Sequence, residues 1–319
     1  MRIVVALGGN ALLRRGEPLE ASIQREHVDG AARALGCIAC QHQLVVTHGN
    51  GPQVGLLALQ SEAYTAVRPY PLDLLVAESE GMIGYLLEQA IQNEMPDLEV
   101  VTVLTEVIVD SEDPAFAHPT KPVGPVYPES TARALAAERG WNIAADGSSY
   151  RRVVASPEPC EIVQADTIKN LVESGVTVIC SGGGGIPTVL DCKSGCRVGV
   201  EAVIDKDLSA ALLAIEVRAD FLMLLTDVDA VYADWGTPRA RSIPFATPAE
   251  LSRLTFATGS MAPKIDAACR FVRATGHPAA IGSLSKAADL LSARSGTWIS
   301  DEEPTACDLV MGASKEALI

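Results

Sequence analysis

At 319 residues, with 48% hydrophobic but only 4% aromatic content, the chain carries enough side-chain surface for a sizeable core, and that core must be aliphatic. Its formal net charge of -15, from 40 acidic against 25 basic residues, repels nucleic acid and anionic membranes at long range, so any phosphate ligand must be held locally. No apolar run reaches the roughly 18 residues of a membrane span, and "MRIVVALGG" lacks the parts of a secretory leader, so a cytoplasmic location is expected.

In chain order, residues 4–7 read as a short buried strand that runs into the glycine turn of "VVALGGNAL". An amphipathic helix over 22–43 leads to a second strand at 44–47, which ends in "HGNGPQ", a βαβ opening. Helical patterns follow at 52–64 and 73–93, then a third apolar strand at 100–105. At Asp110 the texture changes. From "DSEDPAFAHPTKPVGPVYPE" to "RRVVASPEPCE" the chain is dense in Pro and polar residues, with one short helix near 131–139. Residues 111–160 are read as an inserted lobe on a single domain spanning 1–319. Alternation then resumes: helix 164–174, strand 176–180, the turn "SGGGGIPTV" and a hairpin-like excursion through 188–198. Helix 206–215, strand 221–226, helix 263–274, strand 279–281 and a last helix and strand complete the chain. Uniformly apolar strands separated by helices predict an α/β fold whose parallel sheet is covered on both faces.

Three strands end in glycine turns, at Gly8-Gly9, Gly49-Asn50-Gly51 and 182–185. In an open α/β sheet the ligand edge lies beyond the carboxyl ends of the strands. Glycine lets main-chain N–H groups approach phosphate oxygens, and a following helix adds unpaired donors. A single such turn is most simply a tight connection; three together predict an anion site. Neither a P-loop ending nor a Gly-x-Gly-x-x-Gly behind the first strand is present, so charge compensation must come from elsewhere.

The cations are 18 Arg and 7 Lys, which makes each lysine informative. Lys121 stands in "PTKPVGP", Lys206 in "VIDKDLS" and Lys264 in "GSMAPKID". The last two fall at or near helix starts, where the dipole disfavours cations and something negative must compensate. Each alone reads as a solvated ammonium. Jointly they suit phosphoryl transfer, which asks the protein for positioning and positive charge. Asp205 and Asp207 flank Lys206, placed to orient its ammonium or to help hold Mg²⁺.

Other chemistries find less support. The Cys37/Cys40/His42 and Cys192/Cys196 groups lack a second well-spaced pair, so no protein metal site is expected. A Ser/His/Asp triad has no Gly-x-Ser-x-Gly elbow to start from. His48 reads as a base or, more simply, as a strand-end residue with a structural hydrogen bond.

"VVALGGNALL", "VVTHGNGPQVG", "DPAFAHPTKPVGP", "ICSGGGGIP", "GVEAVIDKDLSA", "LLTDVDAVY" and "GSMAPKIDAACRFV" together resemble carbamate kinase, of the amino acid kinase superfamily. The segments are collinear from Val4 to about Ala280. The resemblance implies a three-layer αβα sandwich around a mostly parallel sheet of about eight strands, with a small protruding lobe, in a homodimer. It implies reversible phosphoryl transfer between ATP and carbamate with Mg²⁺, commonly run toward ATP in arginine breakdown. By similarity, amides of Gly8, Gly9 and Gly51 surround the phosphoryl group and Asn10 donates to it. Gly49 and Asn50 line the carbamate pocket, with Gly183 and Gly184 nearby. Lys206 bridges the phosphoryl oxygens and is fixed by Asp207, Lys264 meets the nucleotide phosphates, and Lys121 reaches in from the lobe. Thr226, Asp227, Val228 and Tyr232 lie along the adenosine, with Met261 at the nucleotide end. "ALGGN" lacks the lysine that many superfamily relatives carry there, a charge that Lys121 would supply. A kinase of the same superfamily acting on another carboxylate or a nucleotide, and a nucleotide sensor without turnover, are the alternatives.

Overall fold

A computed structural model describes residues 1–14, 16–257 and 261–303, apart from the side chain of Asn10. The first strand, β1 (Arg2–Leu7), is buried on both faces: Ile3, Val5 and Leu7 enter one apolar cluster, Val4 and Ala6 the other. Helix α1 (Ala21–Ala39) stops short of the expected residue 43. The sheet claims that residue, because the Gln43 N–H donates to the Met1 carbonyl at 2.9 Å and opens β2 (Gln43–His48) beside β1. Helix α2 (Gly51–Ala63) begins directly behind the second glycine turn, and α3 (Leu72–Glu94) follows.

The apolar run expected as one strand at 100–105 is two. β3 (Val100–Val103) stays in the main sheet, and β4 (Glu106–Val109) leaves it. The break falls at Thr105, a buried residue whose N–H donates to the Glu80 carboxylate at 3.3 Å. The proline-rich stretch holds more regular structure than its composition predicts. β5 (Lys121–Tyr127), α4 (Glu129–Arg139), β6 (Asn142–Asp146) and β7 (Ser149–Val154) form a three-stranded antiparallel sheet with one helix. β8 (Pro159–Ile162) joins β4 in a different sheet.

The chain re-enters the main sheet through α5 (Ala165–Glu173) and β9 (Thr177–Cys180). A hairpin of β10 (Ile186–Leu190) and β11 (Arg197–Gly199) extends the second sheet. Then come α6 (Lys206–Glu216), β12 (Phe221–Thr226) and the small antiparallel pair β13 (Val231–Ala233) and β14 (Arg241–Ile243). β15 (Phe245–Ala246), α7 (Pro248–Leu251), α8 (Met261–Thr275), β16 (Ala279–Ser283), α9 (Ala287–Leu290) and β17 (Thr297–Ile299) close the described chain.

The main sheet has eight strands in the order β15-β17-β16-β12-β1-β2-β9-β3, parallel except where β16 meets β17. Helices α1, α3 and α9 cover one face; α5, α6 and α8 cover the other. The expected αβα sandwich is therefore the observed architecture. A third apolar cluster, with Val54, Leu72, Val76, Val123 and Val154, lies between α2, α3 and the antiparallel sheet. Because β1, β2, β9 and β12 run parallel, their following turns all gather at one edge. Among the described residues, no helix is long and apolar enough to cross a membrane.

Candidate active site

The turns after β1 and β2 touch: a Cβ built on Gly49 would stand 3.0 Å from the Gly9 nitrogen and 3.4 Å from the Lys206 side chain. Lys206 opens α6, whose N-terminus points at the same edge. Asp205 caps that helix, its Oδ1 accepting from the Asp207 N–H at 2.9 Å, while its Oδ2 accepts from Lys121 Nζ at 2.6 Å. Lys121 sits at the start of β5, so the antiparallel sheet reaches the site through this ion pair. Asp207 takes Lys206 Nζ on one oxygen at 2.6 Å and Lys264 Nζ on the other at 2.8 Å. Lys264 comes from the first turn of α8. The three lysines expected to converge thus meet on two carboxylates, and the negative partner predicted for the helix-start cations is internal.

Asp207 is 4% exposed and Lys264 8%. Burial opposes the charge of Asp207, but Lys206 and Lys264 outweigh it and hold the carboxyl well below its usual range. Burial pushes Lys206 down to about 8, against the pull of Asp207 and with added repulsion from Lys264. Lys264 is held above its usual value: burial works against its charge and the Asp207 carboxylate prevails. One carboxylate therefore serves the buried ammonium of Lys264 and the half-buried ammonium of Lys206. A surplus of positive charge in a low dielectric is costly unless an anion arrives, and here phosphate is the fitting anion.

The glycine turns divide their work differently from expectation. The Gly8 N–H, expected at a phosphoryl group, donates to the Leu225 carbonyl at 3.0 Å and continues the β1–β12 ladder. Two amides of the four-glycine turn are satisfied within it: Gly184 donates to Ser181 at 3.1 Å and Gly185 to Gly182 at 3.1 Å. Gly183, Gly184 and Gly185 take φ of 67°, 98° and 87°, the left-handed region. A Cβ on Gly183 would collide with the Asn50 side chain, and one on Gly184 would stand 2.7 Å from the Ile204 carbonyl. Gly183 and Gly184 are required by conformation and close approach, and they back Asn50 as a wall. Asn50 is 2% exposed and donates to Ser79 Oγ at 2.7 Å. The side chain of Asn10 lies outside the described residues, as do Gly259 and Ser260 of the "GSMAPKID" motif.

His48 is fully buried, so burial pushes its imidazole down to about 4 and leaves it neutral. Its Nδ1 lies 3.3 Å from the Gly49 carbonyl, the structural bond of the simpler reading. Thr226 ends β12 beside Gly8, its Cα 3.6 Å from a Cβ built there, and its hydroxyl donates to Asp227 at 3.1 Å. Val228 is half-buried in the next bend, and Tyr232 donates to Asp229 at 2.9 Å with its ring 5.1 Å from that of Trp235. Met261 opens α8 three residues before Lys264. Gly49 thus adjoins Gly9 and Lys206, and Gly8 adjoins Thr226, along one edge of the sheet.

Sequence reasoning missed Glu80. It is 1% exposed, and burial pushes its carboxyl up to about 8 against the N–H groups of Gly182 and Thr105. The signal was an acid inside the buried stripe of α3 that runs through Leu72, Val76, Ile83 and Leu87. Among the described residues no cluster of three or more His, Cys, Asp or Glu could hold a metal ion. The seven described cysteines are free thiols, and Cys307 lies outside the described residues.

A parallel α/β sheet whose carboxyl edge gathers lysines around a buried carboxylate defines a phosphate-handling enzyme class, and the family model of the amino acid kinase family matches residues 1–283. A carbamate kinase of Rhizobium meliloti is 53% identical over 302 residues, covering 94% of this chain and 93% of the relative. One from Escherichia coli is 52% identical over 300 residues, covering 93% and 99%. The structure of carbamate kinase from Giardia lamblia bound to AMP-PNP superposes with a TM-score of 0.86 at 40% identity, covering 94% of this chain and 98% of that one. The chain belongs to the amino acid kinase family and, within it, to the carbamate kinases.

Proposed function

We propose that the chain catalyses reversible phosphoryl transfer between ATP and carbamate, giving ADP and carbamoyl phosphate. The observation that carries this reading is the pair of lysines on the single buried carboxylate of Asp207, beside the Gly9–Gly49 contact. Toward ATP, a terminal oxygen of ADP attacks the phosphorus of carbamoyl phosphate. The P–O bond to the carbamoyl group breaks, and carbamate leaves with the electron pair. Among the described residues no Ser, His or Asp stands as a nucleophile beside a base, which supports direct, in-line transfer.

Lys206 bridges the phosphoryl oxygens, Asp207 fixes it, Lys264 meets the nucleotide phosphates, and Lys121 adds charge from the antiparallel sheet. Gly9 and Gly51, with Asn10, face the transferring group; Gly49, Asn50, Gly183 and Gly184 bound the small substrate; Thr226, Asp227, Val228, Tyr232 and Met261 run along the nucleotide. The four oxygens of Asp205 and Asp207 are already engaged by lysines and N–H groups. Mg²⁺ therefore fits best as part of the nucleotide substrate, held by phosphate oxygens, where it offsets their charge. The whole chain is one kinase domain, with residues 111–160 as a lobe that carries Lys121. It works in the cytoplasm as a homodimer and makes ATP during arginine breakdown.

The test is ATP formation from carbamoyl phosphate and ADP, with glutamate derivatives and UMP plus ATP as competing assays. ATP from carbamoyl phosphate alone is expected. Turnover only with another acceptor, or ADP binding without any turnover, overturns the reading.

A further inference from the structure

Two adjacent buried residues of α3 reach into the substrate edge from beneath. Ser79 accepts from Asn50 Nδ2 and donates to the Val76 carbonyl at 2.8 Å. Glu80 accepts the Gly182 N–H on Oε1 at 2.8 Å and the Thr105 N–H on Oε2 at 3.3 Å. Thr105 Oγ1 in turn accepts the Ser181 N–H at 3.0 Å. One carboxyl and one hydroxyl thus hold the first two amides of the four-glycine turn. That turn needs holding, because Ser181 takes φ 50° without being glycine, a conformation that persists only where its surroundings fix it. Gly182 leaves room for the arrangement: a Cβ there would stand 3.0 Å from Glu80 Cγ and collide with the His48 ring. A carboxyl is a costly way to fill an apolar stripe, and its two acceptors are what an aliphatic residue would lack.

We propose that Glu80 is a positioning residue of the reaction: it pins the four-glycine turn to α3, so that Gly183 holds Asn50, and with it the Gly49–Gly51 loop, at the small substrate. The nucleotide end hangs on β12 and α8, which Glu80 does not touch, so its loss acts on one substrate and spares the other. The inference rests on the proposed reaction for the identity of that substrate, and an amide-exchange measurement tests it without that reading.

Glu80→Ala is expected to raise KM for carbamoyl phosphate about tenfold or more and to leave KM for ADP within about twofold. Hydrogen exchange followed by mass spectrometry is expected to quicken at 181–185 in the same variant. Glu80→Gln keeps one acceptor and sets an NH₂ against the other amide, so intermediate effects of about threefold are expected in both measurements. Wild-type exchange at 181–185 in either folded variant, or equal rises in the two KM values, overturns the proposal. Should Glu80→Ala fail to fold, Glu80→Gln decides, and wild-type exchange and KM in it overturn the proposal equally. If the unaltered protein does not consume carbamoyl phosphate, the functional reading fails, and the exchange data still decide the role of Glu80.

Discussion

A single carboxylate, that of Asp207, balances two ammonium groups in an interior that tolerates neither unpaired. The residue is therefore a scaffold for charge, and in the proposed reaction Lys206 is the member that changes partner when phosphate enters. On the proposed reaction, Lys206→Ala removes an ammonium that meets the charge in flight, and a fall in kcat of about 100-fold or more is expected, as for other lost electrostatic donors. Wild-type turnover in a folded Lys206→Ala protein would contradict this. The pH response follows from two buried groups. Lys206, lowered to about 8, carries its charge below that pH and loses it above. Glu80, raised to about 8, is neutral below and negative above, with His48 and Cys180 as its other titratable neighbours. Both changes make the site less welcoming to an anion, so KM for carbamoyl phosphate should rise several-fold as pH passes about 8. A flat profile from about pH 7 to 9.5 would refute the assignment. Stability divides by sign: the Glu80 contribution is full below 4.5 and lost as pH rises through about 8, whereas that of Asp207 is full above 3.8 and lost in acid.

At the scale of elements, the proposed role of Lys121 depends on how β5 is seated, because the lysine opens that strand. Its seat is a backbone contact: Gly124, at φ 72°, lies so close to Gly55 of α2 that any Cβ on Gly55 would strike it. Farther out, Glu62 of α2 pairs with Arg139 and Arg152, and both guanidinium groups stack on Trp141 at 5.1 Å. Gly55→Ala inserts a methyl where none fits, at an expected cost of about 1–3 kcal/mol. The antiparallel sheet should shift and draw Lys121 from Asp205, lowering kcat about tenfold while KM for ADP stays near its wild-type value. Calorimetry and steady-state kinetics check this together; unchanged Tm and unchanged kcat would show that the contact is slack.

The molecule as a whole presents an apolar surface that its own fold leaves open. Leu74, Met82 and Tyr85 are exposed along one side of α3, with the exposed Glu78 among them and Leu104 beside Gly81. A strip of this kind suits a second copy of the chain, which is the surface we assign to the proposed homodimer. Light scattering is expected to give a mass twice that of the chain, and Tyr85→Asp to reduce it to the monomer. A wild-type protein that stays monomeric at assay concentration would remove both the dimer and this role for α3.

Much of this architecture is legible in the sequence. Apolar strands alternating with helices dictated a covered parallel sheet, since strands buried on both faces have no other stable arrangement. Scarcity of lysine singled out Lys121, Lys206 and Lys264 in an arginine-rich chain, and all three meet at one edge. What stayed hidden was relational. That Gly8 spends its N–H on Leu225, or that Gly184 and Gly185 bond back to Ser181 and Gly182, depends on which acceptor packs within reach of each donor. Glu80 could be seen as an acid in an apolar stripe, but its partners lie 25 and 102 residues away. Periodicity and local composition report what a segment buries. Only the packed tertiary structure decides which distant polar groups share that burial, because hydrogen bonds and charge pairs act over a few ångströms of space and take no account of separation along the chain.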